Sequence, residues 1–105
     1  MRDRRYAIRY PFAAHAEMLD LETGTRSDGV TSDLSLGGCF VCISRPLALR
    51  ARVRLTLSRK NQKVQILAAV RVVKPRIGMG LEFLDVDQES NATLLGWIGS
   101  LRKSR

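Results

Sequence analysis

The chain has 105 residues, 45% hydrophobic and 27% charged, with a formal net charge of +8 and a pI near 10.5. That length suits a single compact core, and the composition is that of a globular protein, which excludes a disordered or fibrous class. No window approaches the roughly 18 to 20 apolar residues that span a bilayer, and the first ten residues are too polar for a secretory signal, so a cytoplasmic protein without a membrane span is expected.

The positive charge is unevenly spread. From Leu34 to Leu81 there is no acidic residue, while Arg45, Arg50, Arg52, Arg54, Arg71 and Lys74 are among the basic ones in that stretch. An anionic partner is implied, whether nucleotide, nucleic acid, acidic protein or lipid headgroup.

Residues 1–11 form a basic arm, with Arg2, Arg4, Arg5 and Arg9 against Asp3. Tyr10 precedes Pro11 and is thereby pushed toward an extended conformation that leads into a strand. Phe12, Ala14, Ala16 and Met18 then alternate with His15 and Glu17, which places His15 on the face opposite Phe12, partly exposed. Glu22-Thr23-Gly24 marks a turn, and a second extended stretch runs over residues 26–33. Residues 34–38 make a tight connection into a short apolar strand over residues 39–43. On that strand Cys39 and Cys42 point to opposite faces, which rules out a simple mutual disulfide. With His15 as the single histidine and no second cysteine pair, no zinc set can be assembled.

Ala51, Val53, Leu55 and Leu57 alternate strictly with Arg52, Arg54 and Thr56, giving an apolar inner face and a basic outer one. After a polar turn at Lys60-Asn61-Gln62, Val64, Ile66, Ala68, Val70 and Val72 continue the alternation as the return arm of a hairpin. Lys74-Pro75-Arg76 interrupts it, and residues 78–84 supply the last strand. Strands at this short spacing, with no helix between them, predict a closed or nearly closed antiparallel barrel. Asp85 or Asp87 then caps a C-terminal helix, with Leu94, Trp97, Ile98 and Leu101 on one face. Gly96 and Gly99 each cost about 1 kcal/mol relative to alanine in a helix interior. The helix is therefore expected to pack on something: the open end of the barrel, or a second copy across a dimer seam. The domain division is an arm over 1–11 and a barrel with its helix over 12–105.

Two local patterns carry the chemistry: Arg5-x-x-x-Arg9 in the arm, and Asp33-x-Ser35-x-x-Gly38 in the tight connection. In this order and on this strand pattern, with Gly80-Leu81-Glu82-Phe83 in the last strand, the chain resembles the PilZ domain family over essentially its whole length. The resemblance implies an all-β fold with a C-terminal helix, a six-stranded antiparallel β-barrel of PilZ type that binds the bacterial second messenger cyclic di-GMP. It assigns ligand contacts to Arg4, Arg5, Arg9, Asp33, Ser35, Gly37 and Gly38. Guanidinium groups suit such a ligand because they fork onto phosphate, bond guanine O6 and N7, and stack on purine faces. A carboxylate at position 33 can accept from guanine N1 and N2 together, or can form a turn with its own backbone. Ser35 can bond the ligand or hold the turn. Gly37 and Gly38 keep either the turn or the approach of the base unobstructed. Arg4, next to the arginine motif, implies two stacked ligands per protomer.

Binding is expected to order the arm and to signal to a separate, unidentified protein. No nucleophile–base pair, paired carboxylates, metal or cofactor set is apparent, so no enzymatic activity is expected. Two alternatives remain at this stage: an adaptor of the same fold without nucleotide binding, and a basic barrel binding single-stranded nucleic acid. The second lacks a stacking platform, since Phe40 is the only aromatic residue between Phe12 and Phe83.

Overall fold

The computed structural model describes residues 8–103. Arg4 and Arg5 lie outside the described residues. The elements are β1 (Tyr10–Pro11), β2 (His15–Asp20), β3 (Arg26–Leu34), β4 (Gly38–Cys42), β5 (Arg52–Arg59), β6 (Gln62–Lys74), β7 (Gly78–Val86) and α1 (Gln88–Lys103).

Alternation decides which way each strand faces. Along β5, Val53, Leu55 and Leu57 are fully buried while Arg52 and Arg54 are exposed, and β6 returns against it from Arg59↔Gln62 to Arg52↔Ala69. Every pairing is antiparallel, in the order β1-β3-β2-β5-β6-β7-β4, and β4 turns back onto β3. β2 to β7 thus form a closed six-stranded ring. Its lumen is filled by Met18, Leu34, Val41, Leu55, Ile66 and Met79 and the other core side chains. Closure leaves no sheet edge within the ring.

β1 lies on the same edge of β3 as β2, with Tyr10 and Pro11, at the end of the basic arm, opposite Leu34 and Asp33. Between β1 and β2 the chain kinks, and Thr31 resolves the polar groups this frees. Its buried hydroxyl donates to the Phe12 carbonyl at 2.6 Å and accepts from the Ala14 amide at 2.9 Å. The strand expected from Phe12 onward therefore begins only at His15, and residues 12–14 form a link held by the Thr31 side chain. Alternation alone does not reveal the break, because Phe12 and Ala14 still point inward.

Asp87, and not Asp85, caps α1: its carboxylate accepts the Ser90 amide at 2.7 Å, with Glu89 following in the first turn. The buried face of the helix is Ser90, Leu94, Trp97 and Ile98. Trp97 stacks at a tilt on Phe12 (5.2 Å between centroids) and donates its indole N–H to Gln62, while Ser90 accepts the Gln65 amide. The helix lies across the barrel end that holds the β5–β6 turn, the site of Arg59, whose guanidinium is 4.4 Å from the Phe12 ring centroid. Among the described residues no helix is long and apolar enough to cross a membrane.

Cys39 is buried and Cys42 exposed, as strand alternation requires. Burial pushes the Cys39 thiol up to about 12; the Asp33 carboxylate adds to this and Arg9 opposes it. The reactive form of a cysteine is the thiolate, so a thiol reagent at pH 8 should label the native protein at Cys42 alone. Cys42→Ser should remove that fast reaction, and the second thiol should appear only on unfolding. Two fast thiols in the native state would contradict the placement of Cys39.

Candidate functional site

The β3–β4 connection is built around Ser35. Leu34 and Cys39 both point into the core, so the chain must reverse within Ser35-Leu36-Gly37. The Ser35 amide donates to the Gly38 carbonyl at 2.8 Å, and the Ser35 hydroxyl accepts the Gly37 and Gly38 amides at 3.3 and 3.1 Å. The same hydroxyl lies 3.2 Å from the Gly38 carbonyl, to which it donates. With only 2% of its surface exposed, Ser35 holds the turn.

Gly38 is required by β7. A Cβ at this position would lie 2.2 Å from the Leu81 carbonyl oxygen, a backbone atom that cannot move aside without breaking the ladder. The Gly37 carbonyl in turn accepts the Phe83 amide at 2.9 Å. The glycine turn and the Gly80-Leu81-Glu82-Phe83 segment are therefore one interlocked unit.

With Leu34 and Cys39 inside, Asp33 and Phe40, paired across the strands, face outward. A register shift between Thr31 and Asp33 accompanies this pairing. The Asp33 Oδ1 accepts the Phe40 amide at 3.1 Å, which fixes the carboxylate against the wall, and accepts Arg9 Nη1 at 2.7 Å. Arg9 precedes β1, so the Tyr10↔Leu34 pairing is what delivers its guanidinium to Asp33. The two side chains are 53% and 28% exposed, and an ion pair so placed contributes roughly 0–1 kcal/mol. It is a reversible contact more than a structural one.

Of the residues read from the sequence, Arg9, Asp33, Ser35, Gly37 and Gly38 thus come together at one corner of the barrel. Sequence reasoning passed over Phe40 and Lys74. Phe40 supplies the amide that orients Asp33, and the Lys74 ammonium reaches from β6 to 5.6 Å from the Phe40 ring centroid. The signal was present in the alternation, since Cys39 and Val41 point inward and leave Phe40 as an outward aromatic on a short strand. Nearby, Arg71 is engaged by Glu82. The corner offers a fixed carboxylate acceptor beside a guanidinium, with an ammonium over the neighbouring Phe40 ring. That set suits a ligand with both hydrogen-bond donors and negative charge.

The lumen of the barrel is packed with side chains and one end is covered by a helix, so its charged groups stand on the outer wall. The chain belongs to the PilZ domain family, whose model matches residues 3–100. Among solved structures it is similar to the PilZ domain of CeSA from a cellulose-synthesizing bacterium, with 21% identity, TM-score 0.70, and 90% of this chain and 98% of that one covered. It is also similar to the PilZ domain with c-di-GMP of YcgR from Escherichia coli, with 18% identity, TM-score 0.75, and 98% and 94% covered. A third similar structure is the Bacillus subtilis inhibitor of motility MotI/DgrA, with 19% identity and TM-score 0.74; all of this chain aligns to 55% of that one. A search of curated protein sequences returns no match.

The contact at Gly38 generates a stability prediction. Gly38→Ala should destabilise the fold by about 1–3 kcal/mol through overpacking against β7. Gly80→Ala, whose new methyl would sit 3.4 Å from Val72, should cost clearly less. Urea denaturation of both variants measures the difference. Equal losses would mean that the close approach is not what selects glycine at position 38.

Proposed function

We propose that this chain is a receptor for cyclic di-GMP. The observation that carries the reading is the 2.7 Å contact between Arg9 and Asp33, because it joins the arginine pattern of the arm to the Asp-x-Ser-x-x-Gly turn at one point on the barrel wall. Membership of the PilZ family and the fold shared with a PilZ domain solved with c-di-GMP support it.

The ligand brings two phosphodiesters and two guanines. Arg5 and Arg9 meet phosphate and the O6/N7 edge of a guanine, while Asp33 accepts from N1 and N2. In the free protein the Asp33 carboxylate is already oriented by the Phe40 amide and shared with Arg9. An arriving guanine competes with Arg9 for that carboxylate and frees the guanidinium for the ligand's own acceptors. Because the pair it displaces is exposed, the exchange costs little. Ser35, Gly37 and Gly38 act by holding the turn. Ligand contacts order the arm, and the ordered arm is the changed surface that a separate partner protein meets. The reading assigns no catalytic step to the chain.

Titration calorimetry with cyclic di-GMP, cyclic di-AMP, GTP and a short single-stranded oligonucleotide tests this directly. Cyclic di-GMP should bind in clear preference, since adenine presents an N6 donor where guanine has O6. Equal affinity for both cyclic dinucleotides would leave only a phosphate site, and a preference for the oligonucleotide would favour a nucleic-acid barrel. Arg5→Ala, Arg9→Ala and Asp33→Ala should each weaken binding about 10- to 150-fold, the range for a hydrogen bond to a charged group. Arg52→Ala, on the exposed face of β5, should change little.

Stoichiometry depends on Arg4. Two stacked ligands bring four negative charges together, and Arg4 adds a guanidinium to those of Arg5 and Arg9. Saturation should occur at two ligands per protomer, and Arg4→Leu should shift the ratio toward one. A ratio of one in both proteins would remove the role given to Arg4 and leave the receptor reading standing.

A further inference from the structure

α1 has two faces, and the barrel accounts for only one of them. Opposite the buried Leu94, Trp97 and Ile98, the helix presents Ala92, Leu95 and Gly96 to solvent, with Gly99 half-buried beside them. Leu95 is 48% exposed. A Cβ at Gly96 or Gly99 would meet nothing within 4 Å, and neither residue has a positive φ. The fold therefore requires glycine at neither position, although after proline glycine is the residue least suited to a helix interior. What glycine permits there is the close approach of another backbone. Alongside lies a depression of about 430 Å³ whose lining includes Gln62, Ala92, Thr93, Gly96 and Trp97.

The charges of the helix point to the occupant. Glu89 lies in the first turn and Arg102 and Lys103 in the last. Among the described residues, ion pairs join Arg9 to Asp33, His15 to Asp28 and Arg71 to Glu82, and none of them engages Glu89, Arg102 or Lys103. We propose that this face of α1 docks against α1 of a second copy, antiparallel, about a two-fold axis through the Leu95–Gly96 peptide.

In that register the helix is complementary to itself. Ala92 comes level with the partner's Gly99 and Leu95 with the partner's Gly96, while Glu89 lies on the same flank of the seam as the partner's Lys103, one residue from level. The bulky residue meets a small one and acid meets base, twice over by symmetry, as an isologous interface demands. The antiparallel sense also sets the two helix dipoles in opposition, whereas a parallel pair would align them and bring like charges level. A helix of this length is about 24 Å long, and one such pair buries less than a standard interface, so the dimer is reversible and concentration-dependent.

Sedimentation velocity on the full chain from about 10 μM to about 1 mM tests the proposal. The mass should rise from monomer toward dimer, and Leu95→Glu should hold it at monomer. Gly96→Ala and Gly99→Ala should each act in two opposite directions. By helix propensity they raise the thermal midpoint of the dilute monomer by a few degrees, while by blocking close approach they weaken the dimer tenfold or more. Glu89→Lys should also weaken it, and adding Arg102→Glu with Lys103→Glu should restore it. A monomer across the whole series would overturn the proposal. So would a dimer indifferent to Leu95→Glu and Gly96→Ala, or a failure of the triple charge reversal to restore association.

Discussion

The barrel closes where β4 passes between β3 and β7, and that passage depends on the backbone of Gly38 lying against the Leu81 carbonyl. Any side chain at position 38 would overlap that carbonyl and force β4 and β7 to shift apart. Much of the site follows from this contact. Because β4 is pinned to β7, the chain must reverse sharply after Leu34, and the Ser35 hydroxyl is placed to saturate the amides of that reversal. Because Leu34 and Cys39 are then both drawn inward, Asp33 and Phe40 are turned outward as a pair, and the Phe40 amide is left to orient the carboxylate. The residues that close the fold and those that present the charge are next to one another in sequence for this reason.

The core is filled with apolar side chains, and the charged groups stand on the outer wall. There the positive charge is not a uniform coat. Arg71 is held by Glu82, Arg59 lies over the Phe12 ring, Lys74 over Phe40, and Arg9 is shared with Asp33. Each of these four cations has an identifiable neighbour that limits where it can reach. Three of them, Arg59, Arg71 and Lys74, belong to the acid-free stretch from Leu34 to Leu81.

The barrel was legible in the sequence because its strands obey period two with little interruption, β5 most clearly of all. The helix cap narrowed from two aspartates to Asp87 only when the Ser90 amide was located. The corner was legible as a pattern, but the division of labour within it was not. Ser35 and Gly38 read equally well as ligand contacts or as turn residues. Only the distances from the Ser35 hydroxyl and to the Leu81 carbonyl show what they do for the fold. Phe40 and Lys74 were missed because Phe40 meets Asp33 through cross-strand register and Lys74 meets the Phe40 ring from another strand, contacts that join residues far apart in the chain. The kink between β1 and β2 was invisible for a similar reason: the Thr31 side chain substitutes for backbone pairing without disturbing the inward and outward order.

β1 is two residues long and sits outside the closed ring, since β3 pairs with both β2 and β4 without it. The sheet hydrogen bonds that hold the barrel together and those that hold the base of the arm are consequently separate sets. Peeling β1 from β3 breaks a short ladder and the Arg9 contact while the cylinder stays intact. Tyr10, buried at 8% exposure among the core side chains, anchors β1 to the barrel. The arm can therefore be detached, lengthened or rewritten over evolutionary time at small risk to the folding of the domain. Such a layout lets one scaffold acquire different recognition sequences in front of an unchanged barrel.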